Sequence, residues 1–170
     1  MLKQVTNSLL TPSNLSLSDL PNIFDLMSLR NIDYADLYFQ LSQDESWVLE
    51  DSIIKEGGFH IDRGVGVRAV SGEKTGFAYS DQIDLAHLQQ CAEAVKGIAT
   101  VNQSRLITPI TFKQTNAVQR YASLNPLNSL SQAQKIEILY LVDKIARAES
   151  AYVTKVTASL STIYEEILVA

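Results

Sequence analysis

The sequence predicts an α+β protein, with an antiparallel β-meander and helices packed on the sheet in two layers. In three segments the apolar residues recur at helical spacing, whereas residues 34–80 alternate with the period of two that is typical of strands. Short polar turns separate the alternating runs, so we expect consecutive strands to pair antiparallel.

Composition limits the possible functions. The chain has 170 residues, 46% of them hydrophobic and 19% charged, as in a globular domain. A net charge of -5 without a basic cluster disfavours nucleic acid as a ligand. No apolar run reaches the roughly 20 residues that span a bilayer, so we expect no membrane partner. The single cysteine, Cys91, cannot form a disulfide within the chain, which favours the reducing cytoplasm.

The first helix is expected over 19–30, and it is followed by the meander. Its prediction rests on the helical spacing of Leu20, Ile23, Phe24 and Met27. Two strands, 34–40 and 47–54, are rich in aromatic and β-branched residues. We expect them to pair around a turn at Gln43-Asp44.

The meander continues through a second predicted turn at Gly57-Gly58, because glycine accepts positive φ without steric cost. A short strand is expected over 59–61. Residues 65–70 then alternate, and after a loop at 71–74 another strand is expected over 75–79.

Two more helices are marked by capping residues. Asp84 can cap a helix whose apolar face comprises Leu88, Cys91, Ala92, Val95, Ile98 and Ala99. Ser131 and Gln134 have the spacing of a capping box and begin a helix that should end near Glu149. Its apolar residues are Ile138, Leu141, Val142 and Ile145.

The last segments predict strands over 152–160 and 163–170. The second stops on apolar residues with no turn or polar tail, which suggests the front part of a longer protein; a natural edge strand is the alternative. We divide the chain into 1–99, with helix, meander and helix; 100–129, a variable connection without clear periodicity; and 130–170, which completes the domain.

The run Gly64–Ala69 matches the G-x-G-x-x-A dinucleotide fingerprint, but its context does not fit. That motif requires a helix to open within it, whereas here the strand period continues to Val70. We therefore interpret the glycines as positions in a strand that another backbone or a helix approaches closely.

Candidate metal ligands and nucleophiles are few. His87 and Cys91 are four residues apart on a predicted helix and could in principle face one ion, but Cys91 belongs to the apolar stripe and is expected to be a buried thiol. Neither an HExxH motif nor a Gly-x-Ser-x-Gly motif occurs, so we assign no catalytic residue and no metal ligand.

The strands around 45–51 and 68–79 combine aromatic residues with charges of both signs. Such a strand edge could bind an extended peptide by β-augmentation. An ordinary sheet with one solvated face explains the same pattern, and the residues alone favour this second interpretation.

Several runs resemble the start of proteins of the TldD/PmbA family of zinc metalloproteases. The segments that carry the resemblance are Asp33–Gln40, Glu45–Asp51 and Gly64–Tyr79, with weaker support from Asn125–Leu127, Val156–Ser161 and Ile167–Ala170. The long run Gly64–Tyr79 is the most specific of them.

The resemblance implies the N-terminal domain of a cytoplasmic peptidase that pairs with a homologous, non-catalytic PmbA-type subunit. The family removes leader segments from peptide antibiotics and degrades unfolded proteins such as antitoxins; an older name is modulator of DNA gyrase. Its zinc motif, His-Glu-x-x-x-His, lies beyond this domain, so zinc belongs to the parent protein and no ligand is carried over to this chain.

The N-terminal domain would help to wall the substrate channel and build the dimer. Within it we expect Arg68, Glu73 and Tyr79 to lie near the peptide or partner surface. The alternative is a stand-alone, non-catalytic module with the same fold that binds a peptide or protein.

Overall fold

The computed structural model describes residues 2–27, 32–97 and 124–170. In chain order the main elements are helix α1 (Leu2–Leu9), helix α2 (Leu20–Met27), strand β1 (Tyr34–Glu50), strand β2 (Ile53–Ser71), strand β3 (Lys74–Ser80), helix α3 (Leu85–Lys96), helix α4 (Gln132–Glu149) and strand β4 (Thr157–Val169). Short 3₁₀ helices cover Thr11–Ser13 and Pro126–Asn128.

The strands form one four-stranded sheet in the order β3-β2-β1-β4. Strands β2 and β3 pair antiparallel from Val65 opposite Ser80 to Ser71 opposite Lys74. Strand β4 lies beside β1, and the Leu37 and Ala170 backbones exchange two hydrogen bonds of 3.0 Å. The predicted α+β class with an antiparallel sheet is therefore confirmed.

Two turns that the sequence predicted within the meander are not formed, so these predictions are wrong. Strand β1 continues through Gln43-Asp44 and β2 continues through Gly57-Gly58. The chain reverses instead at Asp51 and Ser52, with φ of 46° and 64°. Two consecutive left-handed residues are the pattern of a type I′ turn, whose twist matches that of the flanking strands.

Gly57 has a packing role and not a turning one. A Cβ atom built at Gly57 would lie 2.7 Å from Cε3 of the Trp47 indole, which is closer than real Cβ contacts allow. The glycine therefore makes room for the tryptophan ring while the strand stays extended. The position does require glycine, but it does so to leave room for the Trp47 ring and not to form a turn.

Contacts divide the chain into two compact units. The described residues of unit 1 fall within 1–41, 62–121 and 166–170, and those of unit 2 fall within 42–61 and 122–165. The boundaries at 99 and 129 that composition indicated stay a prediction.

Unit 1 has a continuous apolar core between its helices and one face of its part of the sheet. The sheet supplies alternate residues of each strand, as the period of two requires. The fully or nearly fully buried members are Leu9, Leu10, Leu20, Ile23, Met27, Leu37, Phe39, Val65, Val67, Ala69, Ile83, Leu88, Ala92 and Val95.

The predicted helices of unit 1 are present, and one helix was missed. Helix α2 matches the expected segment as far as Met27, and α3 begins at the expected cap Asp84, which accepts the His87 N–H at 2.9 Å. Residues 28–31, Ile98 and Ala99 lie outside the described residues. Helix α1 was not predicted, because polar residues separate its apolar ones. Leu2 and Val5 pack against the core, and Leu9 is buried in it.

Unit 2 contains α4 and the tip of the β1-β2 hairpin. The capping box is confirmed: Ser131 Oγ accepts the Gln134 N–H, and Gln134 Oε1 accepts the Ser131 N–H. The helix runs to Glu149 as expected, but the apolar residues that predicted it are exposed.

The chain after α4 differs from the expected pair of strands. Strand β4 begins at Thr157 and continues without interruption to Val169. Its predecessor Val156 is tied to the hairpin turn, because its N–H donates to Asp51 Oδ1 at 3.1 Å and its carbonyl accepts the Asp51 N–H at 2.9 Å. Most of the predicted connection 100–129 lies outside the described residues.

Candidate functional site

The outer face of the sheet in unit 1 carries an arginine that is held by a carboxylate. Arg68 Nε donates to Asp36 Oδ1 at 2.9 Å, and Arg68 Nη2 donates to Asp36 Oδ2 at 2.6 Å. This two-point contact fixes the plane of the guanidinium. The Arg68 side chain is 47% exposed, whereas that of Asp36 is only 12% exposed. Part of the cation therefore remains available to a ligand.

A tyrosine completes the cluster around the arginine. Tyr34 OH donates to Asp36 Oδ2 at 3.3 Å, and its ring centroid lies 5.5 Å from Cζ of Arg68. The hydrogen bonds and charge of Asp36 raise the pKa of Arg68 above its ordinary high value. The guanidinium is therefore charged at every physiological pH.

Exposed aromatic rings surround the cluster on the same face. On β1, Leu37 and Phe39 point into the core, so the alternation turns Tyr38 outward with Tyr34. On the other side, Arg68 lies opposite Phe77 and Gly66 lies opposite Tyr79 in the β2-β3 pairing. We call these five exposed residues the aromatic face: Tyr34, Tyr38, Arg68, Phe77 and Tyr79.

Glycines at two positions allow this face to form. A Cβ atom at Gly66 would lie 3.0 Å from Cε2 of Phe77, so the phenylalanine ring lies directly over the glycine. A Cβ atom at Gly64 would lie 2.8 Å from the Ser80 carbonyl oxygen. The run Gly64–Ala69 is a strand, and its glycines serve close approach, as predicted against the dinucleotide interpretation.

The three residues predicted for a peptide or partner surface do not lie in one cluster. Arg68 and Tyr79 share the aromatic face, on neighbouring strands. Glu73 lies in the turn between β2 and β3, after Gly72 with φ of 60°. That turn is held by the Gly72 N–H, which donates to Asp33 Oδ2 at 2.7 Å.

Tyr34, Asp36 and Tyr38 were not assigned to the site from sequence. Their alternation on one strand was visible and places them on one face. The pairing of Asp36 with Arg68, 32 residues later, depends on how β1 and β2 align, which the local pattern does not specify.

The histidine and cysteine considered for a metal are engaged elsewhere. His87 Nδ1 lies 2.8 Å from Asp84 Oδ2, and the hydrogen bond from the His87 N–H is the main cause that lowers the pKa of Asp84. Cys91 is buried in the core, which raises the pKa of its thiol. Among the described residues no group of three or more His, Cys, Asp or Glu side chains could hold a metal ion. The remaining residues, 1, 28–31 and 98–123, contain none of these four types.

Comparison with known proteins assigns the family. A protein called metalloprotease TldD homolog from Haemophilus influenzae is 73% identical over 169 residues, which is 99% of this chain and 35% of that protein. Residues 35–99 match the model described as PmbA/TldA metallopeptidase domain 1. The chain belongs to the PmbA/TldD family. A second relative of the same name, from Buchnera aphidicola subsp. Schizaphis graminum, is 44% identical over 168 residues and is covered to 34%. The chain thus spans about a third of the length of these TldD relatives.

Solved structures share the fold of this TldD-family chain at low sequence identity. A crystal structure from Bacteroides thetaiotaomicron, described as a modulator of DNA gyrase, has a TM-score of 0.64 at 14% identity, covering 89% of this chain and 36% of that one. TldE from Thermococcus kodakarensis has a TM-score of 0.59 at 16% identity, covering 91% and 34%. Within the part of the chain that the structure describes, no helix is long and apolar enough to cross a membrane.

Proposed function

We propose that this chain is the first domain of a cytoplasmic zinc metallopeptidase of the TldD type, which cleaves unfolded peptides and small proteins. The observation that carries the proposal is the 73% identity over 169 residues with the Haemophilus protein called a metalloprotease. Leader segments of peptide antibiotics and antitoxins are the substrates that the family resemblance implies.

The metal of such a peptidase does not fit the residues of this chain. The described residues offer no group of three possible ligands, and the remainder contains no His, Cys, Asp or Glu. About two thirds of the Haemophilus relative lies outside the match, which leaves room for a metal-binding part. We assign this domain to substrate or partner contact and derive no catalytic step from it.

The aromatic face supports that assignment. Tyrosine, phenylalanine and arginine are the residue types enriched where proteins bind one another, because they bury large areas and also donate hydrogen bonds. Here Asp36 already orients the arginine, so binding would cost little side-chain entropy. The face would wall the peptide channel or contact a homologous PmbA-type subunit, and the likeness to the fold of TldE supports a partner of that kind.

The test is a triple variant in the complete protein, assembled with its PmbA-type partner. Arg68→Ala, Glu73→Ala and Tyr79→Ala together should reduce either assembly or cleavage of an unfolded peptide by at least roughly 10-fold, as expected for loss of hot-spot residues. The matched control changes one basic, one acidic and one aromatic exposed residue on β2: Lys55→Ala, Glu56→Ala and Phe59→Ala.

Folding of the same triple variant is checked in the 170-residue chain, where Cys91 is the only cysteine; Cys91 is buried in the same unit and should stay unreactive. If the variant keeps Cys91 protected, assembles normally and cleaves at the wild-type rate, the proposed role of the aromatic face is refuted.

A further inference from the structure

The hairpin turn between β1 and β2 has a backbone conformation that its residues do not favour. Asp51 and Ser52 follow each other with φ of 46° and 64°. Within the described part of the chain the only other non-glycine residue with positive φ is Asn14, which ends a 3₁₀ helix. Aspartate and asparagine enter this left-handed region more readily than serine does. The turn is therefore strained at Ser52, and contacts from outside the turn must offset the strain.

One arginine of α4 is the centre of these contacts. Arg147 Nη2 donates to Asp51 Oδ1 at 3.0 Å, and Arg147 Nε donates to Asp143 Oδ1 at 3.0 Å. Asp143 Oδ2 accepts a hydrogen bond from Ser52 Oγ at 2.5 Å. The guanidinium thus holds the first turn residue directly and the second through a carboxylate. Because the Asp143 side chain is only 6% exposed, its charge depends on these donors.

The turn also binds the segment that leads into β4. The Asp51 N–H donates to the Val156 carbonyl at 2.9 Å, and Asp51 Oδ1 accepts the Val156 N–H at 3.1 Å. The second contact is the main cause that lowers the pKa of Asp51, so this carboxylate is charged at neutral pH. Both hydrogen bonds depend on the conformation of Asp51, so they are lost together when the turn relaxes.

The buried line of α4 gives the helix a second, separate attachment to the hairpin. It comprises Lys135, Leu139 and Asp143, four residues apart. Lys135 Nζ donates to Glu45 Oε2 and, at 2.8 Å, to the Leu127 carbonyl. These bonds lie roughly 12 Å along the helix from Asp143 and involve no residue of the turn. The turn can therefore open while the first half of α4 stays attached.

We propose that the turn at Asp51 and Ser52 is a two-state conformational device, a strained turn that Arg147 holds closed. When the arginine contacts break, the strain at Ser52 drives the turn open, and the end of the hairpin separates from residues 150–156. An unstrained turn would stay closed without the arginine, so the strain is what makes the turn respond to Arg147. Every residue that carries this proposal belongs to unit 2, so the inference does not depend on the proposed peptidase function.

The test compares glycine with alanine at position 52, with and without the arginine. Ser52→Gly removes the strain, because Asp-Gly readily adopts this turn, whereas Ser52→Ala removes the same hydroxyl and keeps the strain. Opening is measured in the complete protein by amide hydrogen exchange, with mass spectrometry of peptides that cover the turn and residues 154–157. Arg147→Met should accelerate this exchange by at least roughly 10-fold in the wild type and in Ser52→Ala. In Ser52→Gly the same change should accelerate it by less than about 3-fold.

Two controls accompany the comparison. Lys144→Met removes an exposed cation of the same helix and should leave exchange at the turn unchanged. Arg147→Lys keeps the charge but loses the double contact, and it repeats the comparison with a milder change. Equal acceleration in the glycine and alanine variants would overturn the proposal, because Arg147 would then stabilise the turn regardless of strain. So would unchanged exchange in every variant, or an opening that also exposes the amides of 132–139 and is therefore not local.

Discussion

The buried ion pair between Lys135 and Glu45 provides the sharpest stability prediction. Their side chains are 6% and 13% exposed, and Glu45 Oε1 also accepts a hydrogen bond from Trp47 Nε1 at 2.7 Å. Lys135→Met removes the cation and keeps a similar length and volume. The change also removes the donor to the Leu127 carbonyl.

The expected cost follows from the burial. Breaking one side of a buried pair costs about 3–5 kcal/mol, because the other charge stays buried without compensation. Glu45 keeps the Trp47 hydrogen bond and some access to water, so we expect the lower end, about 3 kcal/mol. Glu45→Gln/Lys135→Met leaves no buried charge and keeps an oxygen for Trp47, so this double variant should lose at most about 1 kcal/mol.

The assay is urea unfolding followed by tryptophan fluorescence. Trp47 is the only tryptophan of the chain and lies in unit 2, so its emission reports on the affected unit. A loss of less than about 0.5 kcal/mol in Lys135→Met would mean that the pair contributes no more than an exposed one.

The same pair predicts a pH dependence. Hydrogen bonding from Lys135 is the main cause that lowers the pKa of Glu45 below its ordinary value of 4.5. A carboxyl with a lowered folded pKa stabilises the protein above its unfolded pKa, and this contribution is lost as the pH falls through the folded pKa. The stability difference between wild type and Lys135→Met should therefore be full at pH 7 and shrink below roughly pH 4.

Two further predictions concern backbone contacts and caps. Gly64→Ala should destabilise unit 1 by about 1–3 kcal/mol more than Gly66→Ala does. The added Cβ at Gly64 meets the Ser80 carbonyl oxygen, whereas the added Cβ at Gly66 meets the movable ring of Phe77. The rate at which the Cys91 thiol is labelled measures the difference in stability, and equal rates in the two variants would contradict the prediction. Ser131→Ala should cost about 1 kcal/mol through loss of the α4 capping box, and an unchanged urea midpoint of Trp47 fluorescence would argue against this.

Helix starts were predictable from the sequence because their signals are local. Asp84 and Ser131 each bond a backbone N–H three residues later, so the residues that make the cap stand together in the sequence. The period of two likewise predicted the first part of β1, residues 34–40, but not its continuation through Gln43-Asp44.

The hairpin turn was missed because distant residues hold it. Asp51 and Ser52 are not the Asn-Gly or Asp-Gly pair that marks a type I′ turn. Their contacts are to residues about 90–105 positions later: Ser52 to Asp143, and Asp51 to Arg147 and Val156. Such contacts depend on the assembled unit and have no local signature.

The orientation of α4 was missed for a related reason. Periodicity identifies which residues share a helix face, but not what covers that face. The buried line of α4 is defined by partners on the hairpin, Glu45 and Ser52, that are remote in sequence. A helix whose apolar stripe is exposed has the same local pattern as one whose stripe fills the core.

The most direct test of the proposed function measures zinc content and peptide cleavage together. The 170-residue chain is compared with the complete TldD-type protein assembled with its PmbA-type partner. We predict that the chain alone binds no stoichiometric zinc and cleaves nothing, whereas the complete assembly binds zinc and cleaves an unfolded peptide. The proposed function would be overturned by zinc-dependent cleavage by the 170 residues alone, or by a zinc-loaded complete assembly that leaves the peptide intact.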